Sequence, residues 1–212
     1  MRVTCFEIGP MPTNCYVVDN GREALCVDPG GDPAPVMDFL RKEGLQLLAI
    51  LLTHRHFDHM LGIAALQKAL EVPCLVPAGD SVIKDDEVAR GGIWGIPEVP
   101  PFSCQELPEA KSLPGGVLGI GGFTFQILDT PGHTPGHVSF YFPEAKAVLD
   151  GDTLFCHTIG RSDFTFGSQE QLLASIRDVL FKLPDETVVY SGHGPESTIG
   201  AEKPIISSCY GF

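Results

Sequence analysis

"LQLLAILLTHRHFDHM", residues 45–60, joins a continuously apolar run to a cluster of ligand-type side chains. The run is short and unbroken, which suits a strand buried on both faces. Helical spacing resumes over 60–70. Between the two stand His54, His56, Asp58 and His59. His54 and His56 are two apart, so an extended backbone points both rings to the same side. Two imidazoles on one side can grip a borderline-soft metal ion. Asp58 and His59 are adjacent and would diverge in extended chain, but a turn into the helix would aim both at a second ion. A polar loop with a cap is the competing reading, and the density of ligand-type residues weighs against it.

Outward from this stretch, apolar runs at 2–8, 14–19 and 24–28 read as strands of a meander. "DPGGDP" at 28–33 is a turn, and 34–43 has helical spacing. A brief strand is expected at 73–77. Residues 78–116 are broken by Gly and Pro and read as an irregular insert with a short helix, able to cap a site. Strands follow near 117–120, 123–128, 137–142 and 146–149. "SQEQLLASIRDVLFKL" at 168–183 is an amphipathic helix with Ser168 as N-cap and Leu172, Ile176 and Leu180 along one face. A strand at 187–191 comes last. Two similar halves predict an α/β fold, a four-layer α/β/β/α sandwich forming a single domain over 1–212. An open α/β sheet is the alternative.

The formal charge of −13 disfavours nucleic acid and anionic membranes as partners. Seven cysteines at scattered spacings, with no C-x-x-C, exclude a disulfide framework and are expected to be mostly buried thiols. The first residues lack the apolar core of a signal peptide, and no run of ~18 apolar residues occurs, so a cytoplasmic protein is expected.

Three further candidates lie beyond predicted strand ends. They are His133 in "TPGHTPGH", Asp152 in "LDGDTLF" and His193 in "SGHGP". Residues beyond strand ends gather into clefts in α/β folds. With the first four they make seven ligands, enough for two ions sharing a carboxylate.

"THRHFDH", "TPGHTPGH", "GDTLF" and "GHG", in this order, resemble the metallo-β-lactamase-fold hydrolases over roughly residues 1–203. Within that superfamily they are most similar to glyoxalase II (hydroxyacylglutathione hydrolase) and its shorter bacterial relatives. The resemblance implies that His54, His56 and His133 bind one metal, that Asp58, His59 and His193 bind the other, and that Asp152 bridges them. It implies two divalent ions, zinc first with iron or manganese as alternatives. The implied reaction is hydrolysis of a thioester such as S-lactoylglutathione, or a similar small acyl thioester, by a metal-bridging hydroxide that Asp58 orients. Two ions less two aspartates and one hydroxide leave a site near +1, suited to a small anionic substrate. Zinc β-lactamases place a cysteine where Asp152 stands, which argues against that activity.

"IGRSDF" at 159–164 follows the bridging aspartate. In glyoxalase II a basic residue at the position of Arg161 helps hold glutathione, so Arg161 is a substrate-binding candidate, with an ion pair to Asp163 as the competing reading. His137 is expected to make a buried hydrogen bond beside the site, His157 to lie on the surface, and Trp94 to pack within the insert. The chain departs from full-length glyoxalase II in two respects. "GAEKPIISSCYGF" is too short for the C-terminal helical region, and Pro195 replaces an expected tyrosine. Other readings of the same fold are a mononuclear-iron persulfide dioxygenase, whose "GRTDF" resembles "GRSDF", and a lactonase. A metal-binding module without turnover belongs to another class. Flavodiiron carriers place a glutamate at His56 and are set aside.

Overall fold

The N-terminal apolar runs form β1 (Arg2–Ile8), β2 (Thr13–Asp19) and β3 (Glu23–Val27), an antiparallel meander. These elements come from a computed structural model that describes residues 1–87, 89–92, 95–96 and 98–212. α1 (Ala34–Glu43) buries Val36 and Leu40 and stops at Gly44, whose left-handed φ of 68° a side chain would resist. The apolar run at 45–53 becomes β4 (Gln46–Leu51), parallel to β3. A 3-10 turn, Phe57–His59, then precedes α2 (Ile63–Leu70). β5 (Cys74–Val76) adds in parallel to β4.

The insert is more ordered than its Gly and Pro content implies. It contributes a 3-10 turn at Ala78–Ile83 and β6 (Gln105–Glu106), which pairs with β5 and closes the edge of the first sheet. Trp94 lies outside the described residues.

The second sheet contains β7 (Val117–Ile120), β8 (Phe123–Asp129), β9 (Val138–Phe142), β10 (Ala147–Gly151), β13 (Val188–Ser191) and β14 (Ser197–Thr198). Its order is β14-β13-β10-β9-β8-β7, with β10 parallel to β13 and every other neighbour antiparallel. A small hairpin, β11 (Leu154–Phe155) and β12 (Thr158–Ile159), follows β10.

Alternation along the strands gives each sheet two apolar faces. Val18, Leu25, Val27 and Leu51 of the first sheet meet Phe125, Ile127, Phe140 and Phe142 of the second in a shared core. A fully buried phenylalanine of this kind contributes about 1.5–3 kcal/mol. Val17, Cys26 and Ile50 face outward under α1 and α2. Val148 and Val189 face the opposite way, under α3 (Gln169–Asp178) and α4 (Ile199–Tyr210). The result is the expected four-layer α/β/β/α order, not an open sheet.

Ser168 caps α3, its hydroxyl accepting from Gln171 N at 3.3 Å. α3 is shorter than expected. Val179 breaks the helix, and a 3-10 turn, Leu180–Lys182, carries Leu180 into the same core ahead of Pro184. α4 was not anticipated. Pro204 lies inside it and Gly200 in its first turn, both poor helix formers. Thr198 caps it, accepting from Ala201 N at 3.2 Å, and burial of Ile199 and Ile206 holds it. The cysteines also differ from expectation. Cys15, Cys26 and Cys74 are buried, whereas Cys5, Cys104 and Cys209 are exposed because they sit on outward positions of edge elements and termini. Among the described residues no helix is long and apolar enough to cross a membrane.

Candidate metal centre

Each candidate ligand follows the carboxyl end of a strand. His54, His56, Asp58 and His59 follow β4, His133 follows β8, Asp152 follows β10 and His193 follows β13. Packing the two sheets face to face brings these ends to one edge of the sandwich. His56 is still extended (φ −76°, ψ 145°), and the 3-10 turn begins at the next residue. The chain therefore redirects at the point where Asp58 and His59 must diverge from His54 and His56.

Donor atoms of His54, His56 and His133 lie within 4.8 Å of one another, as do those of Asp58, His59 and His193. Asp152 sits between the sets. Its Oδ2 is 3.4 Å from His133 Nε2 and 3.6 Å from His193 Nε2, and its Oδ1 is 3.5 Å from His59 Nε2. Asp58 Oδ2 is 3.3 Å from His193 Nε2. The structure thus brings together all seven residues that the sequence singled out.

Hydrogen bonds behind the rings set their orientation. Thr53 Oγ1 donates to Asp28 Oδ2 at 2.7 Å, so it accepts from His54 Nδ1–H at 3.0 Å. His59 Nδ1–H donates to Asp28 Oδ2 at 3.0 Å. His133 Nδ1–H donates to the Arg161 carbonyl at 2.6 Å, and His193 Nδ1–H to the Pro12 carbonyl at 2.8 Å. In all four the Nδ1 proton is committed outward, which turns Nε2 into the site. His54 Nε2, His59 Nε2 and Asp152 Oδ1 are buried without a hydrogen-bond partner. Orphaned polar atoms at that depth are costly unless an ion meets them. Imidazole and carboxylate donors of this kind suit zinc, iron or manganese.

The electrostatics point the same way. Burial and the neighbouring histidines hold His54 and His56 well below the usual imidazole range, in the neutral form that ligates metal. Burial alone would lower His59 too, but Asp58, Asp152 and Asp28 push it up to about 10. A divalent ion supplies that positive charge in place of the proton, so uptake there releases a proton and strengthens as pH rises.

Several residues that position the site gave no sequence signal. Asp28, read only as part of a turn, accepts from Thr53 N at 2.9 Å as well as from the two side chains above. Asp80, in the insert, accepts from Arg55 N and Thr134 Oγ1, each at 2.9 Å, and from Gly136 N at 2.7 Å. It thereby ties the loop of His54 and His56 to the loop of His133. Asn14 Nδ2 and Tyr16 Oη donate to the Ser191 carbonyl at 3.0 and 2.7 Å, holding the His193 loop against the first sheet. His137, expected from the sequence to make a buried hydrogen bond beside the site, does so, its Nε2 accepting from Asp152 N at 3.2 Å. His157 is exposed and pairs with buried Glu202 of α4 at 3.2 Å.

A cleft of about 300 Å³ opens beside the cluster, walled by Met11, Pro12, Phe57, Phe155, Arg161 and Phe164. Among the described residues, none of the insert lines it. The guanidinium of Arg161 makes a bidentate pair with Asp163, at 2.9 and 3.0 Å, and its Cζ lies 4.4 Å from the Phe164 ring centre.

Gly192 passes so close to the cluster that a β-carbon there would lie 2.2 Å from Asp152 Oδ1 and 2.8 Å from His59 Cε1. Gly192→Ala is expected to push the Asp152 carboxylate aside and weaken metal binding by about 10–100-fold. Titration calorimetry with Zn²⁺ checks this, and wild-type affinity in that variant would refute it.

The fold and site have clear relatives. The chain is 33% identical over 221 residues to the hydroxyacylglutathione hydrolase GloC of Haemophilus influenzae, covering 96% of this chain and 95% of that protein. A crystal structure described as the BLEG-1 B3 metallo-beta-lactamase superposes with a TM-score of 0.87 at 36% identity, over 96% of this chain and 97% of that one. TTHA1623 in a di-iron-bound form superposes with a TM-score of 0.84 at 37% identity, over 95% and 98%. The family model described as the metallo-beta-lactamase superfamily matches residues 8–193, a span that runs from the end of β1 to the last histidine of the cluster, and the chain belongs to that superfamily.

Proposed function

We propose that the protein is a binuclear metal-dependent hydrolase that cleaves small acyl thioesters. The observation that carries this reading is the meeting of seven imidazole and carboxylate donors, three of their atoms buried without partners, at the floor of an open cleft. The similarity to a hydroxyacylglutathione hydrolase supports the thioester, and the di-iron form of TTHA1623 supports two ions.

Two divalent ions would polarise the acyl carbonyl and supply a nucleophile at neutral pH by lowering the pKa of bound water. The chain's own residues do the rest. His54, His56 and His133 would hold one ion and Asp58, His59 and His193 the other, with Asp152 shared. Asp58 lines the cleft with its Oδ2 3.3 Å from His193 Nε2, where it can accept a hydrogen bond from the attacking water or hydroxide and orient it. His59 and His193 hold Asp58 below the usual carboxylate range although burial alone would raise it, so it stays an acceptor. The departing thiol needs no strong acid, since a cysteine-type thiol has a pKa of ~8.5. Phe57, Phe155 and Phe164 would shield the reacting carbonyl from bulk water.

Metal analysis of the purified protein, paired with assays on S-lactoylglutathione, a chromogenic cephalosporin and glutathione persulfide, tests the reading. Two ions per chain with thioester cleavage, abolished by chelation and restored by Zn²⁺, Mn²⁺ or Fe²⁺, is the expected result. One iron per chain with oxygen uptake on the persulfide would replace it with the dioxygenase. Cephalosporin cleavage without thioester cleavage would replace it with a β-lactamase.

A further inference from the structure

The outer wall of the cleft, away from the ligand cluster, carries little net charge. Arg161 is the only lysine or arginine among the described residues that line it, and the undescribed positions are Val88, Ile93, Trp94 and Pro97, none of which is charged. One edge of that guanidinium, through Nε and Nη2, meets the two oxygens of Asp163, and its Cζ lies over the Phe164 ring. An exposed pair of this kind is weak and can exchange. A substrate carboxylate that took Arg161 would nevertheless stand beside the displaced Asp163, so like-charge repulsion would offset the gain.

The rest of the wall is apolar. Phe164 leads outward from His56 and His133, with ring centres 5.5 and 6.1 Å from theirs. Phe155 does the same from His193 at 6.1 Å. Met11 and Pro12 complete it. Aromatic walls flanking a charged floor bind a substrate whose reacting carbonyl is polar and whose departing half is not.

We infer that the substrates are thioesters with an apolar, uncharged thiol half, and that Asp163 sets this preference by neutralising Arg161. The inference rests on the thioesterase reading and narrows it. Any negative charge of the substrate belongs on the acyl side, next to the ions, and not on the thiol.

Two thioesters with the same lactoyl group separate the cases, one of glutathione and one of benzyl mercaptan. The metal-loaded protein is expected to show a kcat/KM at least about 10-fold higher on the benzyl thioester, by virtue of a lower KM. Asp163→Asn releases Arg161 and is expected to shift the ratio of the two kcat/KM values several-fold toward glutathione, through KM. Its metal content, which a role confined to holding the loop would alter, is expected to match the wild type. A glutathione thioester that is the better substrate, or a ratio indifferent to Asp163→Asn, overturns the inference and leaves thioester hydrolysis standing. Cleavage of neither compound by protein carrying two ions overturns both.

Discussion

Asp152→Ala is expected to lower thioester hydrolysis by roughly 10³-fold or more and to reduce the metal content in the same preparation. The expectation follows from the place of one carboxylate. Its two oxygens lie 3.4 to 3.6 Å from nitrogens of His133, His59 and His193, which belong to different halves of the cluster. Without it, two cations would be held by five imidazoles and Asp58, with less anionic charge between them to offset their repulsion. Asp152→Asn keeps the volume and removes the charge, so it separates the electrostatic role from packing. Metal per chain, circular dichroism and kcat/KM on one sample decide the matter. A folded alanine variant with two ions and full activity would rule out the shared-ligand arrangement.

Asp80→Ala is expected to destabilise the protein by on the order of 3–5 kcal/mol. That is a large share of the roughly 5–15 kcal/mol typical of a domain. Asp80 is fully buried and satisfies Arg55 N, Thr134 Oγ1 and Gly136 N at once. Truncation leaves three donors without partners and loosens two ligand loops together. Urea denaturation of the metal-free protein reads the stability loss, and Zn²⁺ titration of the folded variant reads the loop effect, about 10–100-fold in affinity. Asp80→Asn keeps an acceptor oxygen and should lie between the two. An alanine variant as stable as the wild type would show that the carboxylate is not what joins the loops.

The contrast between Asp152 and Asp80 explains what the sequence disclosed. Ligand residues announce themselves because their chemistry needs a particular side chain, several of them together, at strand ends with glycine beside them. Apolar periodicity did the same for the two sheets, α1 and α3. Asp80 and Asp28 act on partners 25 to 56 residues away in sequence, and a lone aspartate in a Gly- and Pro-rich turn has an ordinary local explanation. α4 was hidden for the opposite reason. Its local signals oppose a helix, and only the packing of Ile199 and Ile206 against the second sheet outweighs them. The sequence signal at Arg161 is its guanidinium, yet the contact it makes with the metal cluster is through its main-chain carbonyl, which any residue could supply.

The meander, β4 and β5 belong to one sheet, and β8, β10 and β13 to the other. Each ion would draw ligands from both, His54 and His56 with His133, and Asp58 and His59 with His193. The ions would therefore act as reversible cross-links between the layers as well as reagents. A chain cut between β6 and β7 yields two pieces, each carrying one sheet and an incomplete ligand set. Such pieces would reassemble most tightly when metal is supplied, and the metal concentration needed would measure how strongly the two sheets hold each other unaided.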